Sequence, residues 1–377
     1  MSVTEEERLA RAALSRLAEP GDPRLTGLVS EIGAVTVRDH LQAERDLHGL
    51  RTDVAARLEA LDPAADLEHA DRLGVRFVVP GDPEWPAGLD ELAHAGAVAN
   101  RGGVPVGLWL RGHARLDTVA SGVAVVGCRS STTYGDSTAG EIAAMAARAG
   151  LSVVSGAAFG IDQAAHRGAL AIQGSTVAVL ACGVDRHYPA AHRRLIDHIA
   201  DVGLVVSEAA LGCAPLRVRF LARNRLVAAL ARGTVVVEAA VRSGALSTAA
   251  WTTRLNRPLM GVPGPVTSAQ SQGVHEKLRS GEATLVTGGE DVLEILGRPG
   301  DHLREEPRGP VRVRDGLGLR AQQVLDAVPV TRGAAVDSIA RSAGIGLREV
   351  HSTLVTLASQ GLVVHDSRGW RLGDTAR

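Results

Sequence analysis

Apolar positions along the chain keep three rhythms, and each predicts a different kind of element. From Glu5 to about Leu61, Leu9, Ala13 and Leu17, then Leu25, Leu28, Val29 and Ile32, recur at helical spacing, with breaks at Pro20 to Pro23 and at Gly33. This is the pattern of a small helical domain. The stretch around Gly33 resembles half of a helix-hairpin-helix or SAM-like unit, and a turn between packed helices accounts for it equally well.

The middle of the chain changes period. Short runs rich in Val and Leu alternate with Ala-rich helical stretches, as in a parallel sheet with crossover helices. The predicted strands are Val123 to Val126, Leu151 to Ser155, Thr176 to Leu180, Gly203 to Ser207, Thr234 to Val237 and Leu259 to Val262. Each is nearly continuous in apolar residues, because both faces of such a sheet are covered. The fold class is therefore α/β with an extended Rossmann-like parallel sheet, whose ligand site is expected at the carboxyl ends of the strands.

A Pro-, Gly- and charge-rich segment from about Arg298 to Gly316 then reads as a linker. Beyond it, Ala335 to Ala343 predicts an amphipathic helix, and Leu347, Val350, Leu354 and Leu357 mark a second. Leu362 to Val364 and Trp370 to Leu372 complete a winged-helix pattern as a hairpin. The expected domains are 1–70 (helical), 71–297 (Rossmann-like), 298–316 (linker) and 317–377 (winged helix).

Composition narrows the chemistry little. The formal charge of −1 gives no global pull toward a polyanion, so a nucleic-acid site must come from a local cluster of cations. Lys277 is the only lysine, so an Arg at any one place is weak evidence and motif position must decide. Cys128, Cys182 and Cys213 lack CxxC or Cys/His ligand spacing, which argues against zinc and against a disulfide framework. Without a basic n-region or a long apolar stretch, the expected location is the cytoplasm, with no membrane role.

Candidate chemistry sits after the strands. Gly127, Cys128 and Arg129 lead into Ser130 to Gly135, a small and hydroxyl-rich turn that could offer helix amides to a phosphate. It lacks the GxGxxG spacing of a dinucleotide site, and no cofactor is expected. Ser155 to Asp162 form a loop of small residues around Phe159. Asp162 and His166 share a helix face and read as a cap and a buried structural imidazole in preference to a catalytic dyad. After Ser207 and Glu208 comes a dense group, Arg217, Arg219, Phe220, Arg223, Asn224 and Arg225, in which cations could track phosphates while a ring stacks a base, although a buried Phe among solvated arginines fits as well. Glu238 and then Ser243 to Thr248 open another helix and a second anion-friendly turn.

Taken in order, VVGCR (Val125 to Arg129), SGAAFGID with QAAH (Ser155 to His166), Tyr188 and Pro189, Ser207 and Glu208, RFLARNR (Arg219 to Arg225), SGALSTA (Ser243 to Ala249) and VPG (Val262 to Gly264) resemble the DNA processing protein A (DprA/Smf) family. GDPEWPAGLDEL (Gly81 to Leu92) and LWLRG (Leu108 to Gly112) are similar to that family's lead-in, so the resemblance spans roughly Gly74 to Leu296.

The resemblance implies a non-enzymatic protein that binds single-stranded DNA as a homodimer, protects incoming strands and loads a RecA-type recombinase in natural transformation. The residues matching the family's DNA-binding motif are Arg129, Ser155, Gly156, Ala157, Arg217, Phe220, Arg223, Asn224, Ser243 and Gly244, with Phe220 as the stacking ring. No catalytic or metal residue is implied. The chain departs from the commoner pattern at Arg217, where a Lys is frequent, and at Phe159, which is expected to narrow its loop.

Two other functions compete with this one. A nucleotide hydrolase of the cytokinin-activating (LOG) type shares the Rossmann variant, but Ser243 to Ala250 lacks its GGxGT pattern and catalytic Glu. A nucleotide-sensing transcription regulator would use the winged helix on duplex DNA. Its second helix carries only Arg348 and Glu349 near its start, which favours a protein-contact or regulatory role.

Overall fold

A computed structural model describes residues 3–43, 58, 60–303 and 313–374. The chain divides into two compact units, Met1–Arg304 and Glu305–Arg377.

A nine-stranded sheet organises the first unit. Along the chain the strands are β1 (Val75–Val78), a two-residue hairpin β2 (Ala97–Val98) and β3 (Arg101–Gly102), β4 (Leu108–Arg111), β5 (Gly122–Val126), β6 (Val153–Ser155), β7 (Thr176–Val179), β8 (Leu204–Ser207), β9 (Ala231–Val236), β10 (Leu259–Gly261) and β11 (Thr284–Leu285). Their order in the large sheet is β1-β4-β8-β7-β6-β5-β9-β10-β11. The strands from β8 to β11 are parallel, whereas β4 and β1 add an antiparallel edge. The predicted strands are therefore present to within a few residues, and the edge strands are additions.

Both faces of this sheet are buried by side chains that alternate strictly. On β5, Ala124 and Val126 join one core with Leu89, Leu226 and Trp251, while Val123 and Val125 join the other with Ile142, Ala143 and Ile161. At about 25 cal/mol per Å² of apolar surface, these continuous runs are the main stabilising contribution of the unit. The chain order reverses between β5 and β9, which are neighbours although three strands separate them in sequence. A crevice is expected outside the carboxyl ends at such a reversal.

Helices Glu5–Leu17, Pro23–Ile32 and Ala34–Gln42 precede the sheet, and Gly33 (φ +84°) is the hinge between the last two. Long-range ion pairs fasten this segment to the sheet unit. Arg8 donates to both oxygens of Asp82 (2.9 and 2.7 Å), and Arg219 reaches back to Glu19 with two contacts of 2.8 Å.

The second unit has helices Leu319–Asp326, Val336–Ala343 and Leu347–Ser359, then an antiparallel hairpin of β12 (Val363–Asp366) and β13 (Gly369–Leu372). Gly344 takes a left-handed conformation that ends the middle helix. Ile339, Val350, Leu354 and Trp370 fill its core, and the first helix was not foreseen from sequence. Part of the segment read as a linker, 304–312, lies outside the described residues.

Candidate nucleic-acid interface

The crevice is built from the loops after β5, β6 and β9 together with helix Arg217–Ala229. Arg129, exposed just beyond β5, places its guanidinium carbon 4.8 Å from the centre of the Phe220 ring, in cation–π range. Phe220 is half-buried, and its other neighbour is the Tyr188 ring, edge-on at 5.5 Å.

Beneath them lies Arg223, only 8% exposed. Its Nη1 donates to the Val179 carbonyl (3.0 Å), while its Nε is buried without a hydrogen-bond partner. Gly156 makes room for it, since a Cβ there would fall 1.3 Å from Arg223 Nη1. Burial pushes the Arg223 pKa down, Asp162 opposes that shift, and the nearby Arg129 charge adds to it. Arg223 is thus a buried cation with one donor unpartnered, close enough to Arg129 and Asp162 to feel both charges. An anion entering the crevice would relieve that deficit, because unpaired buried charge is costly.

The loop after β6 is hydrogen-bonded beneath its surface. The Ser155 hydroxyl donates to the Val125 carbonyl (2.6 Å), and Asp162 accepts from the Gly156 and Ala158 amides (3.1 and 3.4 Å). Ala157 is buried at φ +54°, with its carbonyl against His192 Nδ1 at 2.9 Å. Ser155 and Ala157 therefore shape the crevice from below. Asp162 is not the N-cap expected from sequence but ties the preceding loop; Gly160 is the N-cap of the helix Ile161–Ala171, without a side-chain cap.

His166 is likewise structural. Its Nδ1 lies 2.7 Å from the Thr176 hydroxyl, which itself donates to the Val153 carbonyl, so Nδ1 carries the proton. Burial, with the charge of Arg223 alongside, drives its pKa down to about 3. The buried structural imidazole expected from sequence is thus held by a hydroxyl.

On the far wall, Asn224 Nδ2 donates to the Gly244 carbonyl (3.2 Å), and Ser243 Oγ accepts from the Ala245 amide (3.3 Å). Exposed Gly244 opens helix Ala245–Arg254. Arg217 is exposed at the start of its own helix and, among the described residues, makes no ion pair.

Two expectations need correction. The turn Ser130 to Gly135 is open to a phosphate only in part, because the buried Glu238 carboxylate just beyond β9 already takes the amide and hydroxyl of Thr132. Glu238 accepts from the Thr132 amide (2.9 Å) and hydroxyl (2.6 Å), and a Cβ on Gly135 would sit 2.4 Å from it. The same carboxylate, after burial itself, helps raise the Cys128 thiol to about 12, which makes it inert. The second correction concerns the arginine cluster. Arg219 is committed to Glu19, and Arg225 is fully buried in a bidentate pair with Glu208 (2.7 and 2.6 Å), so both are structural.

Phe159 departs from expectation as well. Its ring does not narrow the loop but stands 44% exposed, edge-on to His192 at 4.5 Å. Sequence reasoning passed over Tyr188 as a site residue, although it is one of only two tyrosines and Phe220 one of three phenylalanines.

Comparison with known proteins identifies what this geometry belongs to. The model of a family described as DNA recombination-mediator protein A matches residues 76–297, the whole of the crevice included. The chain belongs to this family. A putative DNA processing protein DprA of Mycobacterium tuberculosis is 44% identical over 367 residues, covering 96% of this chain and 94% of the relative. The Protein Smf of Escherichia coli is 34% identical over 64% of the chain and 65% of its own length. Among solved structures, DprA from Streptococcus pneumoniae superposes with a TM-score of 0.62 at 31% identity, covering 78% of this chain and 98% of that one. DprA from Helicobacter pylori, solved for its single-stranded DNA binding mode, gives 0.51 at 28% identity, with 59% and 95% covered. The extended Rossmann-like sheet is thus the DprA fold.

Proposed function

We propose that this DprA-family chain binds single-stranded DNA in the crevice and, as a homodimer, protects incoming strands and loads a RecA-type recombinase onto them. The observation that carries the DNA reading is the stack of Arg129 over Phe220 above the incompletely partnered Arg223. Exposed cations track phosphates, the ring offers a face to any base, and Arg223 supplies a desolvated anion partner deeper in. Single-stranded DNA presents unstacked bases and phosphates together, which duplex DNA does not. The H. pylori relative solved for this binding mode supports the same substrate.

Glu238 supports a non-enzymatic reading. At the helix end next to the strand reversal the protein's own carboxylate takes the Thr132 amide and hydroxyl, which leaves fewer donors there for a mononucleotide phosphate. In the second unit, helix Leu347–Ser359 and the β12–β13 hairpin fit a winged helix used for protein contact or regulation.

Competition tests the DNA claim: unlabelled oligo-dT should displace a labelled single strand far better than duplex of equal length. Tighter duplex binding would favour the transcription-regulator reading. Release of free base from AMP would favour the hydrolase. The recombinase claim predicts faster filament assembly on single strands already coated with single-strand-binding protein, and no acceleration would remove it.

A further inference from the structure

The proposed crevice accounts for the half-buried Phe220 ring and leaves the exposed Phe159 ring unexplained. The chain contains three phenylalanines and two tyrosines, and Phe77 is the phenylalanine spent on the core, stacked on Trp109 at 4.4 Å. Phe159 and Phe220 both lie at the carboxyl ends of the parallel strands. Their ring contacts hang from one short segment, Phe220 on Tyr188 and Phe159 on His192. An exposed Phe in so aromatic-poor a chain loses burial energy unless something covers it.

The loop holds that ring outward. Ala157 sits at φ +54°, a conformation costing an L-residue about 1–2 kcal/mol, and Gly160 at φ +73° bounds Phe159 on the other side. Gly160 packs on the neighbouring loop so closely that a Cβ would lie 2.8 Å from the Arg129 carbonyl, which fixes Phe159 beside the Arg129 loop. His192, buried beneath the ring, is anchored by the Ala157 carbonyl. Exposed Arg186, Arg193 and Arg194 flank the Tyr188 to His192 segment and bring positive charge to it, Arg193 being loosely paired with Asp197 at 3.8 Å.

We propose that Phe159 is a second base-stacking platform, so that the single strand continues from Phe220 past Tyr188 onto Phe159, with the phosphates of that stretch facing Arg186, Arg193 and Arg194. This rests on the reading of the crevice as a single-strand site. It commits the exposed ring to a nucleobase, because exposed cations flank the very segment that carries both ring contacts, and a strand track needs cations and rings together.

The test compares wild-type protein, Phe159→Ala, Phe159→Trp and Phe220→Ala on oligo-dT of increasing length. Phe159→Ala should weaken binding of long strands about tenfold and leave the salt slope unchanged. Strands too short to pass Phe220 should bind the variant as they bind wild type, and Phe159→Trp should restore the long-strand affinity. A thermal melt confirms that the variants are folded, as the exposed ring allows. Photo-crosslinking of oligonucleotides carrying 5-iodouracil, read by mass spectrometry, should mark the peptide containing Phe159.

If wild type fails to bind single strands, the crevice reading itself falls. If wild type binds but Phe159→Ala matches it at every length and no crosslink reaches Phe159, the second platform is wrong while the crevice stands. A shift of Phe159→Ala from dimer to monomer would also overturn it, by making the ring a contact between copies.

Discussion

Arg223 and Arg225 are two residues apart on one helix, both almost removed from water, and they do opposite things. Arg225 meets Glu208 in a bidentate pair and spends its Nε on the Gly103 carbonyl (3.1 Å), so its charge and donors are matched inside the protein. Arg223 keeps an unpartnered Nε, feels the Arg129 charge, and has Asp162 as a neighbour without an ion pair. A buried cation completed by the protein is part of the scaffold. One left incomplete at the floor of a crevice is where a ligand's charge is worth most.

The largest effect expected from this contrast is on stability. Arg225→Ala strands the Glu208 carboxylate without its partner and should cost about 3–5 kcal/mol in urea unfolding. Arg223→Ala should cost less, since it breaks no direct ion pair and loses one hydrogen bond, that to the Val179 carbonyl, while Asp162 keeps its two backbone amides. If the two variants were equally destabilised, the distinction between scaffold and site would fail.

On binding the order reverses. Arg223→Ala should lower single-strand affinity by about 1.5–3 kcal/mol, the range for a hydrogen bond to a charged group. Gly156→Ala should mimic it, because the new methyl group displaces the guanidinium. Phe220→Ala should lose about 1–3 kcal/mol with little change in salt slope, since stacking releases few counterions. A slope change as large as that of an arginine variant would show that Phe220 acts by placing Arg129 and not by stacking.

A smaller effect comes with pH. His166 has its pKa pushed down to about 3 in the folded state, against 6.5 when exposed, so the unfolded chain binds the extra proton first. Its contribution is fully present above pH 6.5 and is lost as pH falls toward 3, at up to about 1.4 kcal/mol per pH unit. His166→Gln should flatten that part of a stability profile measured between pH 7.5 and 5; an unchanged profile would place the acid sensitivity elsewhere. Smallest is the loss of one phosphate contact in Arg129→Ala, which should reduce the salt slope on single strands by about 0.7.

Much of this fold is legible in the sequence. β5 to β10 announce themselves as continuous Val- and Leu-rich runs, because a sheet covered on both faces leaves no polar alternation to blur them. β1 and β4 escape the pattern because an Arg interrupts or ends each apolar run, VRFV and LWLR, and β11 because its two residues are exposed. The ordered motifs led to the crevice, yet no local signal separates Arg223 from Arg225. What separates them is Glu208, 17 positions away, just as Glu19, 200 positions away, removes Arg219. Glu238 is the same lesson in reverse: its distance from Thr132 in sequence hid the fact that the first anion turn was already partly filled. A buried acid directly after a strand was the signal available, and it asked for a partner that only the folded chain supplies.

The central claim is that the crevice takes a single strand through charge and stacking together. The most direct test is a salt series of labelled oligo-dT and matched duplex binding to the wild-type protein and to Arg129→Ala. Strong, salt-sensitive preference for the single strand, with a shallower slope in the variant, is the predicted result; equal binding of both DNA forms, or a slope that the variant leaves unchanged, would contradict it.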